Sequence, residues 1–340
     1  MITVVPLATA SLDARAFFTR SWSGGWLVAT DGHDVFVLDA NLNVLSRVDA
    51  GAPPTDIAMP RAGLLLLATP HSLSARDTHD GRTTWSVPGH FLGCRTLDDN
   101  TFWTTEHRDR DIELSLRDVA TGAVLRQTRV PDPFGGSATM FGAHPSRHRT
   151  VVWVAAGQDG QTAHLVTDTM TAIETAEIAP RDRLPPIFLL DGESYLSSGD
   201  DLLERYAWPD GQRLGTMAWP VTDDDHHDDH DDDHDDEHDN YDAAGSDVQL
   251  LPGNYAAWSS TNGRIYIVDL VEMRIVDELT IAGHPLRAVE DLYPVLHGDR
   301  TPCTDFEYAE PGALDTILTV HAESQLVLSR IRDWSPDHAR

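Results

Sequence analysis

Every residue from Asp223 to Asp239 is a carboxylate or an imidazole. The run reads Asp-Asp-Asp-His-His-Asp-Asp-His-Asp-Asp-Asp-His-Asp-Asp-Glu-His-Asp. It offers no apolar side chain to bury and no Gly or Pro to shape a turn, so it stays solvated and its charges repel one another. A divalent cation relieves that repulsion by engaging several groups at once. His226, His227, His230, His234 and His238 supply imidazoles, with Asp225, Asp229 and Asp233 among the carboxylates beside them. Imidazole suits zinc, nickel and copper, and zinc takes about four N, O or S ligands at roughly 2.0–2.2 Å. On a transient helix His230, His234 and His238 share one face. Nearly every neighbour is also a ligand, so the tract can bind in many registers. That suits capture and hand-off better than catalysis, which needs a rigid three-ligand site with an open position. Calcium is disfavoured, because the glycine of an EF-hand loop is missing. A solvated acidic insertion that only aids solubility is the competing reading. It leaves the five histidines without a purpose.

The elements flanking this tract are strands. Helical periodicity is almost absent, and short β-rich runs recur between Gly, Asp, Asn and Pro. Aligned, they show a repeating hairpin: strand, Asp, two or three turn residues, often Gly, then a second strand. Examples are Val35 to Val48 around Asp39, Leu73 to Val87 around Asp77, and Leu114 to Arg126 around Asp118. Others are His164 to Ala172 around Asp168, Leu203 to Leu214 around Ala207, and Ile265 to Val276 around Asp269, with a truncated copy at Gln325 to Ile331. The Asp is expected to accept hydrogen bonds from turn amides while Gly supplies positive φ. Another apolar strand precedes each hairpin, as in Leu64-Leu-Leu-Leu-Ala-Thr69 and Val151-Val-Trp-Val-Ala-Ala156, and a further short strand precedes that. The result is four strands per unit of about 40 residues, seven times over.

The chain therefore resembles seven-bladed β-propellers of the WD-repeat and quinoprotein-like superfamily. The Gly-His and Trp-Asp signatures of true WD repeats are missing; the turns carry Arg-Asp or Val-Asp instead. The expected fold is all-β: one propeller domain over 1–340, with four-stranded blades. An Asp/His-rich insertion occupies 222–247, and a second insertion runs from about 288 to 311. The last unit lacks an outer strand, and Ile2 to Leu7 is expected to supply it and close the ring, removing a sheet edge. Trp26, Trp103, Trp153 and Trp258 are expected to pack between blades.

The resemblance also implies faces. Strands A to D run outward from a central channel. D–A and B–C connections emerge on one face, where propeller ligands usually sit, and A–B and C–D connections on the other. The Asp/His tract then falls in a D–A connection. His33, His71, His107 and His321 fall in B–C loops on the same face, and His90 and His284 in or near D–A connections. His79, His144 and His148 map to the opposite face. The metal-ligand candidates are thus the tract residues together with His33, His71, His90, His107, His284 and His321. A propeller bearing an Asp/His-rich loop resembles, in the composition of Asp223 to Asp239, the zinc metallochaperones that serve bacterial zinc importers. Zn2+ is the expected ion, with Ni2+ or Cu2+ as the others the donors suit.

Composition narrows the partners. The chain of 340 residues carries 55 acidic and 25 basic residues, all of the latter arginine, for a net charge of −30. Such a surface disfavours nucleic acid and anionic membrane and favours cations and a basic protein partner. No stretch reaches the roughly 18 apolar residues of a membrane span. Met1 to Ala8 lacks the basic, long apolar form of a signal peptide, so a cytoplasmic location is expected. Cys94 and Cys303 are too distant in sequence to suggest a disulfide framework. No P-loop, dinucleotide fingerprint or nucleophile elbow is present, and no catalytic residue is nominated. Glu106-His107-Arg108-Asp109-Arg110-Asp111 reads as an exposed ion-pair loop. The leading expectation is a metal-binding propeller. The alternatives are an interaction scaffold with an acidic tether, or a propeller enzyme with a metal at the channel mouth.

Overall fold

The computed structural model describes residues 3–133, 135–142, 144–146, 148–155, 160–178, 186–198, 202–218, 248–251, 254–259, 265–281, 316–321 and 324–332. The described residues are all strand, turn and irregular backbone. Among the described residues no helix is long and apolar enough to cross a membrane. Six units of four strands follow one another. The first is β2 (Ala16–Trp22), β3 (Gly25–Thr30), β4 (Asp34–Asp39) and β5 (Val44–Asp49). The second is β6 (Asp56–Arg61), β7 (Leu64–Ala68), β8 (Ser72–Asp77) and β9 (Thr83–Pro88). The third is β10 (Phe91–Thr96), β11 (Thr101–Arg108), β12 (Asp111–Asp118) and β13 (Val124–Pro131). The fourth is β14 (Ala138–Gly142), β15 (Arg149–Ala155), β16 (Gln161–Asp168) and β17 (Ile173–Ile178). The fifth is β18 (Ile187–Phe188), β19 (Ser194–Ser198), β20 (Leu202–Ala207) and β21 (Arg213–Ala218). The sixth is β22 (Val248–Leu251), β23 (Tyr255–Ser259), β24 (Ile265–Asp269) and β25 (Arg274–Ile281). Within each unit the strands neighbour one another in chain order, the antiparallel meander of a propeller blade.

A last set joins the chain ends. β26 (Thr316–His321) pairs with β27 (Gln325–Arg332), and β27 pairs antiparallel with β1 (Thr3–Ser11). The N-terminal strand therefore covers the outer edge of the final hairpin, as expected. β1 also makes two parallel pairs with β25, Thr3 with Thr280 and Val4 with Ile281. Leu326 and Leu328 of β27 pack with Val28, Phe36 and Leu38 of the first unit, bringing the last strand against the first blade. The second insertion, 288–311, and the tract insertion, 222–247, lie outside the described residues.

The core sits between units. Leu27, Val35 and Val37 pack against Ile57, Leu65 and Leu67 of the next unit. Trp103 and Leu114 likewise meet Val152 and Val166. A middle strand has a neighbouring blade on each side, which is why Leu64-Leu-Leu-Leu-Ala68 is buried throughout and does not alternate. Outer strands such as β13 are mostly exposed. Trp103 is fully buried, and Trp26 and Trp153 pack partly against inter-unit clusters. The side chain of Trp258 lies outside the described set.

The C–D turns follow the sequence logic. Asp39, Asp77, Asp118, Asp168 and Asp269 each accept a turn amide, from Asn41, His79, Thr121, Met170 and Val271 in that order. Gly81, Gly122 and Gly211 supply the left-handed residue. Where glycine is missing, Leu42 (φ 63°), Met170 (φ 70°) and Met273 (φ 49°) take that conformation. Burial of Leu42 and Met273 offsets a backbone cost of about 1–2 kcal/mol, whereas Met170 is exposed.

Candidate functional site

The B–C turns and D–A connections are stitched to one another by backbone. Thr69 directly follows β7, and its Oγ1 accepts the amides of His71 (3.2 Å) and Ser72 (2.9 Å), closing the B–C turn. The carbonyl of His71 then accepts the amide of Gly89 in the following D–A connection (3.2 Å). In the first unit the carbonyl of His33 accepts the amide of Ala50 (2.8 Å) in the same way. His33 holds a left-handed backbone, φ 69°, and its Nδ1 is buried without a hydrogen-bond partner. These contacts place His33, His71 and His90 in the turns and connections assigned from sequence.

Two positions differ. His107 lies within β11, paired across the hairpin with Ile112, because β11 and β12 extend to a two-residue turn at Asp109–Arg110. His321 is the last residue of β26, paired with Gln325, and its side chain lies outside the described set. The sequence pattern predicts loops at both; in each case strand pairing runs further than the apolar pattern does. His284, His226, His227, His230, His234, His238, Asp225, Asp229 and Asp233 lie outside the described residues. The strands bracketing the tract are as expected: β21 ends at Ala218 and β22 begins at Val248.

Of the predicted ligands, the structure brings His90 and His107 together, with ring centres 5.4 Å apart and planes tilted by 54°. Their backbones are locked, since the amide of His107 donates to the carbonyl of His90 (3.2 Å). Nδ1 of His107 lies 3.9 Å from Oδ2 of buried Asp132. That carboxylate is fixed by Ser137 Oγ (2.6 Å) and by the amides of Gly135 and Ser137. Among the described residues no group of three or more His, Cys, Asp or Glu is arranged to hold a metal ion.

Beneath the pair lies a buried charged cluster where the sequence predicts an exposed ion-pair loop. Glu106 is 3% exposed. It pairs across the hairpin with buried Glu113 and approaches Arg108 (3.1 Å) and Arg117 (4.0 Å). It also accepts the amide of His90. Burial pushes its pKa up and Glu113 adds to the rise, while Arg108 opposes it. Burial likewise pushes the Arg117 pKa down. Arg117 lies over the Phe91 ring and donates to Thr104 Oγ1 and the Gly122 carbonyl. The Glu106 carboxylate passes so close beneath Gly89 that a Cβ there would lie 2.5 Å from its Oε1. Gly89 and His90 are thus set by Glu106. The alternation of the two strands hid this: Glu113 shares its face with Ser115 and Arg117, opposite Ile112, Leu114 and Leu116, and Glu106 follows Thr104, so the pattern reads as a polar face although both faces are buried.

No protein-family model and no curated protein matches the chain. Solved structures do match over nearly its full length. The Swd1 (Cps50) β-propeller domain of Myceliophthora thermophila superposes with a TM-score of 0.56 at 12% identity, covering 96% of this chain and 99% of that one. BamB of Moraxella catarrhalis superposes with a TM-score of 0.57 at 10% identity, covering 98% and 99%. At such identities the likeness shows the fold: a β-propeller.

Proposed function

We propose that this propeller captures a divalent transition ion, zinc foremost and nickel or copper as alternatives, in the tract Asp223–Asp239. One observation carries the reading: this tract of carboxylates and five imidazoles joins the outer strand of one blade, β21, to the first strand of the next, β22. The connection carrying His90 joins β9 to β10 in the same way. The tract thus belongs to the class of connections that emerges on the face of His33, His71, His90 and His107. The His90–His107 pair is the best-formed foothold there. Two imidazoles on one tetrahedral ion, with metal–nitrogen bonds of about 2.0–2.1 Å, have ring centres roughly 5 Å apart, close to the 5.4 Å here. Asp132 beside Nδ1 of His107 would favour the tautomer that offers Nε2. The remaining ligands would come from the tract or from water. The ion is cargo, held loosely enough to pass on.

A second reading, an interaction scaffold for a basic partner, is favoured by the fold and by the net charge of −30. Titration of the purified, untagged chain with zinc separates the two. The metal reading expects micromolar or tighter binding that is lost when the five tract histidines become asparagine. The scaffold reading expects that variant to behave as the parent does, with a cationic peptide binding in chelator and released by salt.

A further inference from the structure

We propose that Asp31–Gly32, in the B–C turn of the first blade, is a modification site at which the main chain reroutes through the aspartate side chain to give isoaspartate. The sequence contains five Asp–Gly pairs, beginning at Asp31, Asp80, Asp159, Asp191 and Asp210. Glycine has no Cβ to shield its own backbone nitrogen, so these are the pairs at which an aspartate carboxyl can reach that nitrogen. Asp159 lies outside the described residues, and the other four sit in turns.

A pair reacts when the glycine nitrogen carries no hydrogen bond and the carboxyl is free to swing onto it. Three of the four fail on the nitrogen. Gly81, Gly192 and Gly211 each close a turn, donating to the carbonyls of Asp77 (2.9 Å), Leu189 (2.9 Å) and Ala207 (3.0 Å), and each holds the left-handed backbone. Two of those three fail on the carboxyl as well. Asp80 accepts the amide of Arg82, and Asp191 accepts the amides of Glu193 and Ser194. Gly32 differs because it is a central residue of its turn. Closure comes one residue later, where the amide of His33 donates to the carbonyl of Thr30 (3.2 Å). Among the described residues nothing accepts the Gly32 amide and nothing holds the Asp31 carboxylate. Both residues are exposed, so water reaches the reacting atoms.

The chemistry balances with water alone. The Gly32 nitrogen bonds to Cγ of Asp31, while the N–H hydrogen, one carboxyl oxygen and a solvent proton leave as water. The cyclic imide then takes water back at either carbonyl. Cleavage between the nitrogen and Cγ restores aspartate. Cleavage between the nitrogen and the main-chain carbonyl carbon of Asp31 leaves the chain running through Cβ and Cγ. Mass and net charge are unchanged, but the turn gains a backbone atom between Thr30 and His33. That turn seats His33, whose carbonyl accepts the amide of Ala50 (2.8 Å). Isoaspartate at this position therefore unseats His33 and frees the Ala50 amide.

The full-length protein is aged at physiological temperature and pH, digested and read by electron-transfer fragmentation, which separates isoaspartate from aspartate. Isoaspartate at Asp31 should accumulate at least about fivefold faster than at Asp80, Asp191 or Asp210, the factor that a turn hydrogen bond commands. In urea, with every turn open, the four rates should converge. A Cβ at Gly32 would meet nothing closer than 3.8 Å, and the backbone there is not left-handed, so Gly32→Ala should fold as the parent does. That variant should form little isoaspartate at Asp31 and keep its Ala50 amide protected from hydrogen exchange after ageing, whereas the aged parent loses that protection. The ranking within the parent decides the matter even if the variant does not fold. Isoaspartate no faster at Asp31 than at the other three in the folded chain, a ranking that survives in urea, or Ala50 protection equal in the aged parent and the aged variant would overturn the proposal.

Discussion

His144 shows how one side chain can set the acid stability of a blade junction. Its Nδ1 accepts the amide of Ser146 (2.9 Å), its ring packs 4.7 Å from Phe188 of the next unit, and its Nε2 is buried without a hydrogen-bond partner. Burial, aided by the charge of Arg149, lowers its pKa from 6.5 to about 4. The unfolded chain therefore binds the proton first as pH falls, and stability drops between about 6.5 and 4 and levels below that. His144→Gln should flatten that part of a urea-denaturation profile recorded against pH; an unchanged slope contradicts the account. Glu106 acts with the opposite sign. Its raised pKa means the folded state holds the proton longer, so its charged form costs stability as pH rises past the ordinary glutamate range. Glu106→Ala leaves Arg117 buried beside Thr104 with its carboxylate partner gone. A loss of about 3 kcal/mol in chemical denaturation is expected, along with altered His90 and His107 resonances. A change below about 0.5 kcal/mol would show that Arg108 and Glu113 compensate.

Among the elements, the middle strands carry the stability. Leu67 is fully buried in the cluster joining the first two units, so Leu67→Ala should cost about 2–5 kcal/mol by the same assay. Truncation of exposed Leu125 should cost little. A value for Leu67 near that of Leu125 would place the core elsewhere. The same burial explains why these elements were readable in sequence. A strand covered on both faces becomes a continuous apolar run, as at Leu64 to Ala68, and the turn Asp and Gly punctuate it. Strand ends were less readable. β11 runs on through Glu106, His107 and Arg108, because an antiparallel hairpin can bury a carboxylate against arginines from its own sheet, which composition reads as solvent-exposed. Proximity between His90 and His107 was also hidden: it depends on the register of β10 against β11, which no local spacing encodes.

For the molecule as a whole, the two chain ends meet in one sheet. Removing residues 1–11 deletes β1, bares the edge of β27 and ends its pairing with β25. The truncated chain should lose thermal stability and associate through that edge, seen as a lower Tm and a larger species in size-exclusion chromatography. A monomer of unchanged Tm would show that β1 is dispensable. The repeat order followed from the sequence because blade period and strand count are global regularities. The meeting of His90 and His107 did not, because it joins residues from separate connections. The metal reading meets its sharpest test in calorimetry of zinc binding to the intact chain and to a chain lacking Asp223–Asp239. Saturable heat with the intact chain, abolished or weakened at least about tenfold by the deletion, is the predicted result. Equal heat from both chains, or none from either, would contradict it.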